Sequence, residues 1–486
     1  MRFRIFLAIL ATVFAQGACG GNPDVDGLKA YAAPGYTIIS REEDSARRIP
    51  TQIAMIDAVL TKLLKRGARL DSTPTYIFVV PQNLWSDYLQ PALAFNEEFV
   101  AGRFTNYLLI NNCRCDSTVL QASVYNQYAH LYLRTQFDGA LPLWFEVGVA
   151  RVAKLTEFAN TRAYVGMPYG LYRGWMPIGQ VLHLERTSPE YRAGPTFQAV
   201  HDESWALAYR MISEPAFGKQ AADYLQALDD LKPVEEAVQS SFGMSVENLS
   251  KEMFFYTRGS GVKIVSVSVD LPPPPTLSPG RDMKRLESLQ LIADVMFASE
   301  AKHKRLLAFI NNFQKIAPDS PEVRVIRLRL AARDRDDAVI DWLLEKLESN
   351  LADPQVARGV GVALFERVRA RQPGDSLTTE KTRALQQRAL GLLDLSLRAR
   401  PDDPEAAWAF GMLAASTNQL LGSALQRLLS ASESAPRNAD IAMATALVYE
   451  ALQKPDKMLA QLKFAARFAR SGEQRAWARQ KISASK

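Results

Sequence analysis

The chain has little of what ties small folds together. Three cysteines and four histidines in 486 residues are too few for a disulfide scaffold or a cysteine-rich zinc fold. Long apolar runs are scarce as well. Only the first twenty residues hold an uninterrupted apolar stretch, which excludes a multi-span membrane protein, since each span needs ~20 such residues. Neither sign of charge dominates, with 58 Lys+Arg against 52 Asp+Glu and a formal net charge of +6. What is there is globular composition, 48% hydrophobic and 23% charged, unlike a disordered chain. At ~100–200 residues per domain, the length implies two to four domains with real cores.

The N-terminus reads MRFR, IFLAILATVFA, QGACGG. A basic start, eleven apolar residues and a small-residue exit form a secretory signal over residues 1–17, cleaved before Ala18. The expectation is an exported protein, periplasmic or secreted. Gln16-Gly17-Ala18-Cys19 resembles a bacterial lipobox, with Gln16 where an aliphatic residue is usual. Lipidation at Cys19 is the one route to membrane association. In an oxidising compartment Cys113 and Cys115 either pair in a strained ring or stand in a turn after a strand.

DLPPPPTLSPG (Asp270 to Gly280) cannot be helical and reads as a linker over residues 271–283. Residues 18–275 carry 23 basic and 27 acidic side chains, a net of −4, whereas residues 276–486 carry 33 and 25, a net of +8. Two units follow, residues 18–270 and residues 284–482.

The second unit shows a period. Pro318, Pro354, Pro401 and Pro436 lie 36, 47 and 35 residues apart, and RQPGDSLTTEKTR lengthens the middle gap. Gly411 and Ala446 each fall ten residues after a proline, small enough for two helices to cross closely. WAFGM (Trp408 to Met412) and ALVY (Ala446 to Tyr449) are the clearest marks, with each proline read as ending a helix pair. The pattern resembles the tetratricopeptide repeat, which implies an all-α solenoid whose concave groove takes a protein or peptide partner. The closing run Lys463, Arg467, Arg470, Arg475, Arg479 and Lys481 reads as a solvated capping face and not as a nucleic-acid arm, because export removes the nucleic acid.

The first unit mixes helices and strands. Residues 49–66 suit an amphipathic helix, PTYIFVVP (74–81) a strand, LWSDYLQ a short helix and AGRFTNYLLIN (101–111) a second strand. A long helix from about Ser117 to Gln136 precedes LPLWFEVGVARVAKL, a helix opened by proline.

This order, with L-P-x-W-F-x-x-G-x-A, resembles the peptidase MA-like (gluzincin-type) metallopeptidases, as do HDESWALAYRMI (His201 to Ile212) and PVEEAVQSSFGMSVENLSKEMFFYT (233–257). The resemblance covers about residues 74–257. It implies an α+β domain whose long helix carries H-E-x-x-H, with a glutamate on the next helix as third zinc ligand. Here Asn126 stands for the first histidine, Gln127 for the general base and Val147 for the third ligand; His130 alone is kept, and Arg151 replaces a family-typical glutamate. The framework of Leu141, Pro142, Trp144, Phe145, Gly148 and Ala150 persists. An amide is a poor zinc ligand, Gln127 does not titrate near neutral pH, and Glu146 is turned ~100° from the ligand position.

The expectation is therefore an exported, non-catalytic binding or scaffold protein with no cofactor and no catalytic residue. The framework implies that the cleft still grips extended peptide along AGRFTNYLLIN, with Phe104, Tyr107 and Leu109 at the edge. The aromatic stretch Tyr164 to Trp175 is either a lip of that cleft or a packed patch. The rival is an active zinc-dependent peptidase on non-standard ligands, His130 with His183 or His201 and Glu146, which no spacing supports.

Overall fold

The computed structural model describes residues 24–66, 73–89, 97–112, 117–137, 141–166, 175–186, 188–192, 196–230, 232–258, 262–270, 273–299, 303–372 and 377–485. Residues 1–17, expected to be a signal, Cys19, Cys113, Cys115 and residues 167–174 of the aromatic stretch lie outside them.

Runs that are apolar at every position, and not at alternate ones, form strands covered on both faces. YIFVV and YLLI are such runs, and they become β3 (Thr75–Pro81) and β5 (Asn106–Asn112) at the centre of a six-stranded sheet. Its order is β4-β5-β3-β2-β1-β6, with β1 Lys29–Ala33, β2 Tyr36–Ser40, β4 Glu97–Ala101 and β6 Arg281–Asp282. β3 runs parallel to β2 and β5, and the remaining pairs are antiparallel.

Successive side chains point to opposite faces. Ile38, Ile77, Val79, Leu108 and Ile110 face a core built with α1 (Glu43–Leu64), α2 (Ser117–Gln136), α3 (Leu143–Lys154), α4 (Phe197–Ser213) and α5 (Pro215–Asp229). Ile39, Phe78, Val80, Tyr107 and Leu109 face the other way. Their cover comes from beyond the proline-rich segment, from α6 (Arg285–Ala298), α7 (His303–Ile316) and α8 (Pro321–Asp334). Asn312 on α7 donates to Tyr88 Oη at 3.1 Å within this buried layer.

The proline-rich segment is thus stitched to the sheet. Ser278 N donates to the Ala32 carbonyl at 2.9 Å, Ala32 N donates to Ser278 Oγ at 2.8 Å, and Arg281 and Asp282 pair with β1.

The helical repeat continues as α9 (Asp337–Leu347), α10 (Pro354–Arg369), α11 (Thr379–Ala399), α12 (Pro404–Thr417), α13 (Leu421–Ser434), α14 (Ala439–Ala451), α15 (Pro455–Phe468) and α16 (Gly472–Ala484). Local sequence sets the starts. Ser320, Asp336, Asp353, Thr378, Asp403, Asn438 and Ser471 each accept a backbone N–H of their helix, and Pro321, Pro354 and Pro404 open theirs. Pro354 therefore starts a pair, unlike Pro318, Pro401 and Pro436, which follow one, so the four prolines are not in one register. A Cβ at Gly411 would lie 2.6 Å from Leu428 Cδ1, which fits the close crossing expected there.

Candidate functional site

Two places collect polar side chains. The first lies at the β4 end of the sheet. AGRFTNYLLIN is not one edge strand: Ala101 ends β4, residues 102–105 turn, and β5 is interior, paired on both sides. The edge belongs to β4, whose register leaves it hydrogen-bonded only to β5 among the described residues. Tyr107 and Leu109 lie inside the second core, and Phe104 sits in the turn. An alternation-based reading misses β4 because EEFVA carries one weak apolar repeat beside the stronger YLLI.

Beside β4, α2 presents Asn126, Gln127 and His130, and α3 presents Glu146 and Val147. Gln127 and Val147 are each 2% exposed. The His130 ring stacks on Phe99 of β4 with centroids 5.6 Å apart and planes within 6°. Burial, with the Arg186 cation adding to it, pushes this imidazole down to about 3. Arg186 itself forms an ion pair with Glu146, so Glu146 is committed to a cation.

His201 on α4 packs on Phe197, centroids 4.2 Å apart, and stacks on Tyr191 at 6.0 Å. Burial, then the Arg151 and Lys154 charges, hold it well below the usual histidine range. His183 is elsewhere: its Nε2 lies 3.1 Å from Glu235 on the surface. Among the described residues, no group of three or more His, Cys, Asp or Glu is arranged to hold a metal ion.

Two charged residues next to His201 were not legible as a site. Arg151 Nη2 donates to Asp202 Oδ1 at 2.9 Å, with Asp202 fully buried. Glu203 is fully buried too, and burial, then the neighbouring Asp202, pushes it up to about 8. The signal was present: adjacent acids in the apolar stretch ahead of SWALAY cannot both face water on a core helix.

The second place lies among the helices of the repeat, where its expected groove would run. Along it, Arg358 bonds Asp403 at 2.7 Å and Glu405 at 2.6 Å, and Arg329 bonds Asp294 at 3.0 Å. These residues sit on α6, α8, α10 and at the start of α12. Burial works against the Glu405 charge, but Arg358, Arg329 and Arg103 outweigh it and hold the carboxyl below its usual value.

The turn between β4 and β5 enters this groove. Arg103 Cζ lies 3.9 Å from the Trp408 ring centroid and Arg103 Nε 3.5 Å from Asp440 Oδ2. Phe104 packs beside the same indole, centroids 5.8 Å apart. The basic run of the final helices is only in part a solvated face: Lys463 and Arg467 are exposed, but Arg470 donates to the turn, Arg475 lies 3.3 Å from Asp229, and Arg479 donates to the Asp229 carbonyl.

No family model matches the chain, and no curated protein matches it. A search of solved structures finds a thermophilic TPR protein of Thermus thermophilus, at 16% identity and a TM-score of 0.32, over 41% of this chain and 98% of that one.

Proposed function

We propose that the chain is an exported, non-catalytic protein-binding scaffold. Its first half is a peptidase MA-like α+β domain that has lost its zinc chemistry, and its second half is a tetratricopeptide-type solenoid that engages a protein partner. Residues 1–17 are the proposed signal, with lipidation at Cys19 the alternative exit.

One observation carries the non-catalytic reading. The helix turn that the resemblance assigns to zinc holds buried Gln127 in place of a base and a stacked, neutral His130, and the adjoining Glu146 is paired with Arg186. A buried amide does not accept a proton from water at neutral pH, and a carboxylate neutralised by a guanidinium has little left to offer a cation. Partner binding is supported by the helix pairs and by the charged side chains along their groove.

The test is zinc content of the full chain, purified without chelator and offered zinc. Below about 0.1 zinc per chain, with no shift in thermal unfolding, is the expected result. Near one zinc per chain, lost in His130→Ala, would establish the rival peptidase reading on non-standard ligands.

A further inference from the structure

The turn in the groove is held the way a ligand is held. Side chains seize its main chain as well as its side chains. Arg470 Nη1 donates to the Gly102 carbonyl at 2.9 Å and to the Arg103 carbonyl at 2.8 Å. Asn438 Nδ2 donates to the same Arg103 carbonyl at 2.8 Å, and Arg134 Nη2 donates to Gly102 O at 3.2 Å. Backbone carbonyls gripped by fixed donors, with alternate side chains in pockets, are the marks of peptide recognition.

The donors are preorganised. Asn438 caps α14, its Oδ1 accepting from Asp440 N at 2.9 Å and Ile441 N at 3.2 Å. Gln474 bridges the two charged partners, accepting from Arg470 N at 2.9 Å and donating to Asp440 Oδ1 at 3.1 Å. Trp408 then offers its face to the guanidinium and its flank to Phe104, a pairing that suits arginine better than lysine. The fit carries one conflict. Arg369 Cζ lies 5.4 Å from the same indole centroid, so two like charges share one ring.

We propose that the groove around Trp408, Asn438, Asp440 and Arg470 is a receptor for an arginine–aromatic peptide segment of a partner protein, and that the chain's own Gly102-Arg103-Phe104 turn occupies it in cis as a built-in competitor. The proposal rests on the protein-binding reading and names the chemistry of the partner. The Arg369 conflict is what leaves the turn displaceable.

The test uses the full chain carrying Arg103→Ala and Phe104→Ala together, and an acetylated, amidated, fluorescein-labelled AGRFTN peptide followed by anisotropy. Saturable binding at least ten-fold tighter than to the parent chain is expected, lost again when Arg470→Ala is added. The control AGEFTN should not bind. A double variant that keeps a cooperative melt and binds AGRFTN no tighter than the parent overturns the proposal; so does equal binding of AGEFTN, which would leave a less selective protein-binding groove standing. If the double variant does not fold, the parent chain decides the matter through hydrogen exchange at Arg103 to Asn106 under millimolar peptide. Faster exchange is the expected sign of displacement, and unchanged exchange overturns it. Neither readout involves zinc, so failure here is separable from failure of the non-catalytic reading.

Discussion

The two faces of the central sheet differ in how many of their buried ionisable groups find an opposite charge. On the face covered by α1 to α5, the groups without an opposite charge are kept neutral: His130 is driven down to about 3, His201 well below its usual range, and Glu203 up to about 8, while Asp202 keeps Arg151 and Glu146 keeps Arg186. On the face that leads into the groove, Glu405 is kept charged between Arg358 and Arg329. The difference follows from partners. A lone group taken out of water avoids the cost by shedding its charge, whereas a group met by opposite charge keeps it. The first face is a core in which unpaired groups are held neutral; the second is an interface assembled between two halves of the chain.

Cutting the halves apart breaks the comparison most severely. A fragment of residues 24–275 keeps the first core whole but exposes Ile39, Phe78, Val80, Tyr107 and Leu109. Each such side chain gains roughly 1.5–3 kcal/mol from burial, so the loss is about 8–15 kcal/mol, comparable to the stability of a whole domain. The fragment is expected to aggregate on expression, or to bind a dye for exposed apolar surface. A soluble, cooperatively melting monomer would show that the faces are energetically separate.

The pH dependence of stability separates the faces next. Glu203 has an ordinary value of 4.5 and a folded value of about 8, so its neutral burial is fully favourable below 4.5. That contribution is lost as pH rises toward 8, at roughly 1.4 kcal/mol per pH unit. His130 runs the other way. With its folded value depressed from 6.5 to about 3, its contribution is complete above 6.5 and is lost as pH falls toward 3. Glu203→Gln should therefore flatten the alkaline limb of a stability–pH curve, and His130→Phe, which preserves the stack on Phe99, the acid limb. Urea midpoints between pH 4 and 9 check both; curves parallel to the parent chain's would mean that the groups are hydrated.

Local signals were legible and long-range ones were not. The boundaries of α2 and β3 follow from period and proline, and the helix starts of the repeat from Ser, Asp, Thr and Asn caps. The sheet's second cover was invisible, because nothing in YIFVV says which residues will lie over it, and here they come some two hundred positions later. Reading DLPPPPTLSPG as an extended linker left its pairing unforeseen: its composition forbids helix but does not forbid lying along β1. The edge-strand error has the same root, since β5 reads as a strand whether it is interior or peripheral. Around α2 and α3 the residue types were plain from sequence, but the Arg186–Glu146 pair needed the fold.

The finest test concerns how far the groove's charges act as one unit. Glu405 reaches Arg358 at 2.6 Å and Arg329 at 3.8 Å, and so joins α8, α10 and α12. Its side chain is 20% exposed, so Glu405→Ala should cost more than the ~1 kcal/mol of a surface pair and less than the ~3–5 of a fully buried one, about 2–3 kcal/mol by urea denaturation. Most of that cost is two guanidiniums left short of an anion and not the lost attraction itself. Glu405→Leu together with Arg358→Met replaces charge by apolar volume and should recover much of it. If the double variant is instead worse than the sum of its parts, Arg329 and Asp294 depend on the same chain of charges, and the second face is held by a network and not by separable pairs.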